Sequence, residues 1–142
     1  MSRNHPRHRV PRGGIDPIRS SDDALAVIAL GSPYRNDTVV ILLDAERRGS
    51  SILVVTDTID PDAMFDVLES CVRAARDHPA IRSMILASCR PNGDVEADDA
   101  QRWFTASDLC CSGGLELIEW FVLGSTIECP RQMIGEPHRW VA

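Results

Sequence analysis

The chain is 142 residues long, the usual size of a single domain, and its 44% hydrophobic and 25% charged residues are ordinary for a globular protein. No apolar run approaches the ~20 residues that cross a bilayer, so the sequence predicts no membrane span. The net charge of −6 is uneven: residues 1–20 carry five arginines and one aspartate, whereas the remainder carries ten arginines and twenty acidic residues.

The basic first segment is predicted to be a disordered leader over residues 1–22, because it combines positive charge with Pro6, Pro11 and a Gly-Gly pair. An Arg-rich leader can touch nucleic acid weakly, but phosphate would repel the acidic body. We therefore expect no nucleic-acid partner beyond that weak contact. The domain is predicted over 23–129, followed by a tail over 130–142 that packs on the domain or on a partner.

The first half of the chain predicts three strands and a helix. An apolar run at 24–30 predicts the first strand. Residues 38–44 and 51–56 flank an Arg-Arg-Gly-Ser turn and predict an antiparallel hairpin. Asp60 and Pro61 predict the start of a helix that ends at His78. Its apolar residues recur at helical spacing, at positions Met64, Leu68, Cys71, Val72 and Ala75.

The second half predicts strand, helix and strand. The nearly all-apolar run 81–87 predicts a strand buried on both faces. A helix is expected from about 98 to 112, then a strand over 115–123 and a tail that holds one short edge strand. Trp103, Phe104 and Phe121 are expected to seal this helix against the sheet. The order β-β-β-α-β-α-β predicts an α/β fold of the α+β type, with a mixed central sheet and two packed helices.

The clearest candidate site is Ser-Cys-Arg-Pro-Asn-Gly-Asp at 88–94, where the buried strand runs into a turn. Strand ends of this kind are where α/β folds place functional groups. A second mark is Gly-Leu-Glu-Leu-Ile-Glu-Trp-Phe-Val-Leu-Gly-Ser at 114–125.

With these two marks, the order over residues 38–125 resembles the JAB/MPN domain, and within it the RadC-like bacterial branch. Family members have His-x-His-Pro-Ser-Gly-Asp at the first mark and Gly-Ile-Pro-Val-Leu-Asp-His-Leu-Ile-Ile-Gly-Asp at the second. The resemblance implies the JAB/MPN architecture, which is similar to that of cytidine deaminases.

The resemblance also implies where a metal site would lie, and this chain departs from the family there. Active members hold Zn²⁺ with two His and one Asp, a Glu assists the bound water, and a catalytic zinc needs three protein ligands. Here the His positions hold Ser88 and Arg90, and the Glu position holds Leu53. The Asp position falls on Asp99 or Gln101, depending on where a two-residue gap lies. Asp99 is preferred, because its register keeps the helix's apolar residues on one face.

These departures imply a catalytically inactive domain, with no metal and no cofactor, that serves as a protein-interaction or scaffold module. Two alternatives stay open. A small-anion or ligand-binding protein would use Ser88, Arg90, Asn92 and Gly93 in the former metal cleft, with the guanidinium as the positive centre. A residual metal-dependent hydrolase is the second alternative. Separately, the acidic loop at 94–99 could bind Ca²⁺ or Mg²⁺ weakly, since hard cations prefer clustered carboxylates.

The cysteines indicate a reducing compartment. The chain has five cysteines, an odd number, and no C-x-x-C motif, so the sequence predicts neither a disulfide framework nor a zinc ribbon. They are Cys71, Cys89, Cys110, Cys111 and Cys129. Each is expected to be a small buried hydrophobe in a cytoplasmic protein.

The tail suggests how the chain assembles. Domains related to MPN often pair, and Met133, Ile134 and Trp140 are too few to form a core of their own. We therefore expect a homodimer in which residues 130–142 contribute to the interface. A further protein partner is expected, but the sequence does not identify it.

Overall fold

A mixed five-stranded sheet forms the centre of the fold, in a computed structural model that describes residues 9–31, 33, 36–91 and 93–140. Across the sheet the strand order is β2-β1-β3-β4-β5, in which β3 and β4 are parallel and all other neighbours are antiparallel. The strands are β1 (Thr38–Asp44), β2 (Gly49–Val55), β3 (Ile81–Cys89), β4 (Glu116–Leu123) and β5 (Ile127–Glu128).

Within the described residues three α-helices cover the sheet: α1 (Ser21–Leu30), α2 (Ala63–Ala75) and α3 (Asp99–Ser112). Helices α2 and α3 pack on one face, and α1 packs on the other, so the core has two apolar layers separated by the sheet. A short 3-10 helix, Pro130–Ile134, follows β5. The predicted class, α/β with a mixed sheet, is confirmed. No described helix has the length and apolar character needed to cross a bilayer.

The predicted first strand at 24–30 is wrong, because these residues form α1. Ser20 caps the helix by accepting a hydrogen bond from the Asp23 backbone N–H at 3.2 Å. Ala24, Val27 and Ile28 are buried at helical spacing. A short apolar run satisfies either a buried strand or a buried helix, and the capping residue at position 20 decides for the helix.

The remaining elements lie close to their predicted bounds. The antiparallel hairpin of β1 and β2 is confirmed, and β3 is buried on both faces from Ser83 to Cys89. Helix α2 starts later than predicted, because Asp60 caps a turn instead, with its Oδ1 accepting from the Asp62 N–H at 2.9 Å. The helix also ends at Ala75, three residues before His78. Strand β5 is the short edge strand expected in the tail.

The aromatic residues divide between the two layers differently from the prediction. Trp103 is fully buried between α3 and the sheet, as expected. Phe104, its neighbour on the helix, is 46% exposed, so its predicted role in sealing α3 is wrong. Phe121 is buried in the α1 layer rather than against α3, because neighbouring residues on a strand point to opposite faces and Trp120 takes the α3 side.

Both terminal segments pack on the sheet where the structure describes them. Within the segment predicted as a leader, Ile18 is 1% exposed and belongs to the α1 layer, and Pro17 forms a bridge with Arg48. In the tail, Trp140 packs on that layer and donates from Nε1 to the Ser21 hydroxyl at 3.2 Å.

Candidate functional site

The candidate site begins where β3 ends, between its two neighbouring strands. The Cys89 N–H donates to the Asp37 carbonyl at 2.9 Å, and the Arg90 N–H donates to the Leu123 carbonyl at 2.8 Å. The Gly93 N–H then donates back to the Arg90 carbonyl at 3.0 Å and closes the turn. Asn92, a predicted ligand-binding residue, lies outside the described residues.

An ion pair between Arg90 and Asp99 occupies this strand end. Arg90 Nη1 lies 2.6 Å from Asp99 Oδ2, and Arg90 Nη2 lies 3.0 Å from Asp99 Oδ1, so the guanidinium meets the carboxylate in a two-pronged contact. The Asp99 side chain is 0% exposed and that of Arg90 is 13% exposed. Nη1 also donates to the Asp94 carbonyl at 3.2 Å. The pair therefore links the exit of β3 to the first residue of α3.

Asp99 has further hydrogen-bond donors. Arg102 Nη1 lies 2.8 Å from Oδ1, and the Glu96 N–H lies 2.7 Å from Oδ2. Burial by itself raises the pKa of Asp99, but the hydrogen bonds from Arg90, Glu96 and Arg102 outweigh burial and hold this pKa below its ordinary value. Asp99 is therefore ionised at neutral pH, and both of its carboxylate oxygens already accept hydrogen bonds from neighbouring groups.

Ser88 is two residues before Arg90, so both side chains point to the same side of the chain, and the Ser88 hydroxyl also has a hydrogen-bond partner. Its hydroxyl accepts a hydrogen bond from Trp120 Nε1 at 2.9 Å. The guanidinium carbon of Arg90 lies 5.8 Å from the centre of the Trp120 ring, within cation–π range. The Trp120 side chain thus contacts both Ser88 and the guanidinium of the Arg90–Asp99 pair.

The space left beside this group is small. A cavity of about 20 Å³ is lined by residues that include Thr38, Thr58, Ser88, Cys89 and Arg90. That volume holds about one water molecule. It is too small for a carboxylate or phosphate ligand without movement of the surrounding side chains.

The structure separates two of the predicted site residues from the others. Leu53 lies on β2, opposite Val40, which in turn lies opposite Leu86 on β3. Leu53 is therefore two strands away from Ser88 and in a different row, and it lines a groove beside α2. Gln101 is exposed, whereas Asp99 is buried against Arg90. Of the two alternatives for the Asp position that the resemblance implies, Asp99 is the one that contacts Arg90.

The residues at this strand end do not fit the zinc ion that the JAB/MPN resemblance implies. Asp99 is the carboxylate that Arg90 contacts, and two guanidinium groups bind it. Across the described residues, no group of three or more His, Cys, Asp or Glu side chains has the arrangement of a metal site. Burial, helped by the charge of Asp37, raises the pKa of Cys89 to about 11, so this thiol stays protonated near neutral pH.

The other cysteines follow the predicted pattern with one exception. Cys71, Cys89 and Cys110 are buried, and Cys129 is half-buried. Cys111 is exposed, so the expectation that it is buried is wrong. The reason is helical geometry: neighbours on α3 point about 100° apart, and Cys110 takes the inward direction.

Sequence reasoning missed a second buried ion pair, on the neighbouring strand. Glu119 of β4 is 0% exposed, and its Oε2 lies 2.7 Å from Arg131 Nε in the 3-10 helix. Glu119 Oε1 accepts from the Trp120 N–H at 3.1 Å, and Arg131 Nη1 donates to the Glu136 carbonyl at 3.0 Å. The available signal was an acidic residue in the middle of the apolar run 117–123, because a buried acidic residue needs a cationic partner.

Comparison with known proteins adds no family assignment. No protein-family model matches the sequence, and a search of the curated proteins gives no match either. Membership of the JAB/MPN family therefore stays a prediction, and the function has to be argued from the geometry of this chain.

Proposed function

We propose that this protein is a catalytically inactive member of the JAB/MPN family, RadC-like branch, that acts as a protein-interaction or scaffold module. The observation that carries the proposal is the Arg90–Asp99 ion pair. In the proposed alignment these residues take the places of one metal-binding His and the metal-binding Asp. Their two-pronged contact fills the position where a metal ion would have to lie.

The chemistry of this pair opposes metal binding. A guanidinium stays protonated at all ordinary pH values, so it cannot become a ligand. A metal ion would have to compete with Arg90 and Arg102 for Asp99 and then lie beside two positive charges. Ser88 adds a neutral hydroxyl whose oxygen already accepts the Trp120 hydrogen bond, so it contributes little to a metal site.

The two alternative functions have weaker support. An anion in the former cleft would have to take Arg90 from Asp99, and the adjoining cavity has room for about one water. A hydrolase built on the acidic loop would need free carboxylates. Glu96, however, lies 2.7 Å from Arg102 Nη1, and Asp94 hydrogen-bonds the Ser125 hydroxyl. We therefore place the module ahead of both alternatives.

The proposal is tested by trying to rebuild the metal site. The wild-type protein should contain no stoichiometric zinc by elemental analysis. The double variant Ser88→His with Arg90→His should bind about one zinc per chain, because it adds two imidazoles beside Asp99. Asp99→Asn in that background is the matched control and should abolish binding, since the amide carries no charge.

Two results would contradict the proposal. One is wild-type protein with about one zinc per chain, lost to a chelator together with a fall in melting temperature. The other is a double variant that folds but binds zinc no better than the wild type, which would remove the JAB/MPN alignment on which the former metal site depends.

A homodimer is part of the proposal, but the tail is a weak candidate for its interface. Arg139 Nη1 donates to the Leu117 carbonyl at 2.8 Å and to the Ser107 hydroxyl at 2.9 Å, and its guanidinium stacks 4.7 Å from the centre of the Trp103 ring. With Arg131 on Glu119, these contacts tie the tail to its own domain. Among the described residues of the tail, Met133 and Ile134 are the large apolar side chains left exposed.

A further inference from the structure

The outer edge of β4 has a partner strand along only part of its length. Strand β4 spans Glu116–Leu123, and β5 pairs with it at Val122 and Leu123. Among the described residues, no strand lies beside 116–121 on the side away from β3. A stretch of sheet edge without a neighbouring strand is a place where a further strand can add.

Side chains occupy this edge where a strand is missing. The Trp120 N–H donates to Glu119 Oε1 at 3.1 Å, and the Leu117 carbonyl accepts from Arg139 Nη1 at 2.8 Å. Arg131 Nε in turn lies 2.7 Å from Glu119 Oε2. The tail therefore meets polar groups of this edge, directly or through Glu119, in the place that a strand would take.

Side chains, and not a backbone ladder, hold the tail. Among the described residues, the backbone–backbone hydrogen bonds of 130–140 stay within the tail and its junction at Cys129. The hydrogen bonds that join this segment to the rest of the domain each use a side chain, from Arg131, Glu136, Arg139 and Trp140 of the tail or from Arg47 of the domain. The tail can therefore detach from the domain without breaking a ladder.

The strand beneath the tail has the composition of a strand that pairs readily. Residues 117–123 read Leu-Ile-Glu-Trp-Phe-Val-Leu, with β-branched and aromatic residues, one charge and no proline. Both faces of this strand are packed, since Trp120 belongs to the layer beneath α3 and Phe121 to the α1 layer. A strand added at this edge would extend an ordered sheet, which limits the entropy lost on binding.

The charge at the edge favours a basic partner strand over a second copy of this chain. The tail meets Glu119 with a guanidinium, so a strand that takes its place needs a cation there. Glu119 lies near the middle of β4. If two β4 strands paired antiparallel about their centres, two Glu119 side chains would lie close together without a cation between them, which is unfavourable.

We infer that the tail is an intramolecular cover for a strand-acceptor edge, and that this edge binds an extended segment of a partner protein with a basic residue beside Glu119. The partner segment adds to β4 in place of the tail. The inference deepens the proposed role as an interaction module and rests on that role. Because the attached tail competes at a high effective concentration, the edge stays covered until a partner segment is abundant or binds tightly.

Binding of a short strand to the full chain tests the inference. The probe is a fluorescent peptide, Thr-Val-Arg-Val-Thr-Val, followed by anisotropy. Arg139→Ala with Trp140→Ala weakens the hold of the tail and should bind the probe at least about tenfold more tightly than the wild type. Arg12→Ala is the matched control, since it removes an arginine contact from the exposed Arg12–Asp16 pair and should bind like the wild type. If the double variant does not fold, as judged by near-ultraviolet circular dichroism, Arg139→Ala alone takes its place with the same expected direction.

The charge of the probe tests the contact with Glu119. In Arg131→Ala the arginine of the peptide should replace the missing guanidinium and raise the melting temperature, whereas the same peptide with glutamate in place of arginine should not. Nuclear magnetic resonance locates the probe: the amide signals of Leu117 and Trp120 should shift on binding, while those of β2, at the other edge of the sheet, should not.

Three results would overturn the inference. The first is a probe that binds the folded tail variant no better than the wild type, and the second is equal binding of the arginine and glutamate peptides. The third is a tail variant that dimerises in light scattering and then excludes the probe, which would make a second copy the occupant. Zinc content is measured separately in the same samples: zinc in the wild type would contradict the proposed function, whereas failure of the probe to bind would leave that function standing.

Discussion

Two buried arginine–carboxylate pairs lie beside the neighbouring strands β3 and β4, and they differ in how each carboxylate is supported. Asp99 and Glu119 are both 0% exposed, and their arginines, Arg90 and Arg131, are 13% and 10% exposed. Asp99 also has Arg102 and the Glu96 N–H. Glu119 has Arg131 as its one ion-pair partner among the described residues, and a backbone N–H as further support.

The difference shows that equal burial does not mean equal dependence on the partner. A buried carboxylate that loses its cation is destabilised by the full cost of desolvation unless other donors remain. Asp99 keeps a second guanidinium when Arg90 is removed, whereas Glu119 keeps none when Arg131 is removed. The first pair closes the candidate site with two guanidinium groups on one carboxylate, and the second joins the tail to β4 through one guanidinium.

Arg131→Ala should have the largest effect on stability. It leaves Glu119 charged and buried inside β4, which should lower the free energy of unfolding by about 3–5 kcal/mol. Urea denaturation at pH 7 measures this loss. The control is Arg131→Met combined with Glu119→Leu, which removes both charges and should recover much of the stability. A loss below about 1 kcal/mol in Arg131→Ala would mean that Glu119 reaches solvent or another cation.

Arg90→Ala should have a smaller effect, because Arg102 and the Glu96 N–H still support Asp99. We expect a loss of about 1.5–3 kcal/mol, the range for a hydrogen bond to a charged group. The exposed Arg12–Asp16 pair supplies the control, since Arg12→Ala should change stability little. If Arg90→Ala cost more than Arg131→Ala, the ranking of the two pairs would be reversed.

The stability contributed by the Arg90–Asp99 pair should depend on pH. The pKa of Asp99 is lower in the folded protein than its ordinary value, so its contribution is fully present above about pH 4 and is lost as the pH falls through the folded pKa. Arg90→Ala should raise that folded pKa. The difference in stability between wild type and variant should therefore shrink in urea titrations taken from pH 7 toward pH 2. A constant difference would show that the ionised carboxylate is not what Arg90 stabilises.

Ser88→Ala tests the neutral hydrogen bond under the first pair. The variant leaves the indole N–H of Trp120 without its acceptor, but the adjoining cavity can hold one water that replaces it. The expected loss is therefore about 1 kcal/mol. Ser88→Val fills the water's space with a methyl group and should cost more. Equal losses in the two variants would indicate that no water enters.

Thiol reactivity gives the smallest effect. In native protein Cys111 should react quickly with a thiol reagent at pH 8, and Cys111→Ser should remove this phase. Burial, followed by the charge of Glu119, raises the pKa of Cys129 to about 12, which keeps this thiol slow. The charge of Arg131 lowers this pKa, so Arg131→Ala by itself makes the thiol a weaker acid, and a faster reaction of Cys129 in that variant would come from a loosened tail. Arg90→Ala should leave the rate unchanged. Equal rates in both variants would mean that the second pair does not hold the tail.

The sequence predicted most of the strands and helices because their patterns are local. The apolar runs of β1 and β3, the helical spacing in α2 and the two glycines after α3 each act over a few residues. The strand predicted at 24–30 was wrong, because a seven-residue apolar run fits a buried strand and a buried helix equally, and the helix cap at Ser20 lies outside that run. At the candidate site, the family resemblance predicted that Ser88 and Arg90 lie near Asp99 or Gln101, and the structure pairs Arg90 with Asp99.

The sequence alone thus determined β1 to β4, α2 and α3 to within a few residues, together with the exit of β3 and the residue types that stand there. Only the tertiary structure decided the partners: that Arg90 binds Asp99 and that Arg131 reaches Glu119. The physical reason is that periodicity is set by the geometry of one element, whereas a long side chain finds its partner through the packing of several elements. A charge cannot be assigned a partner until the strands and helices around it are in place.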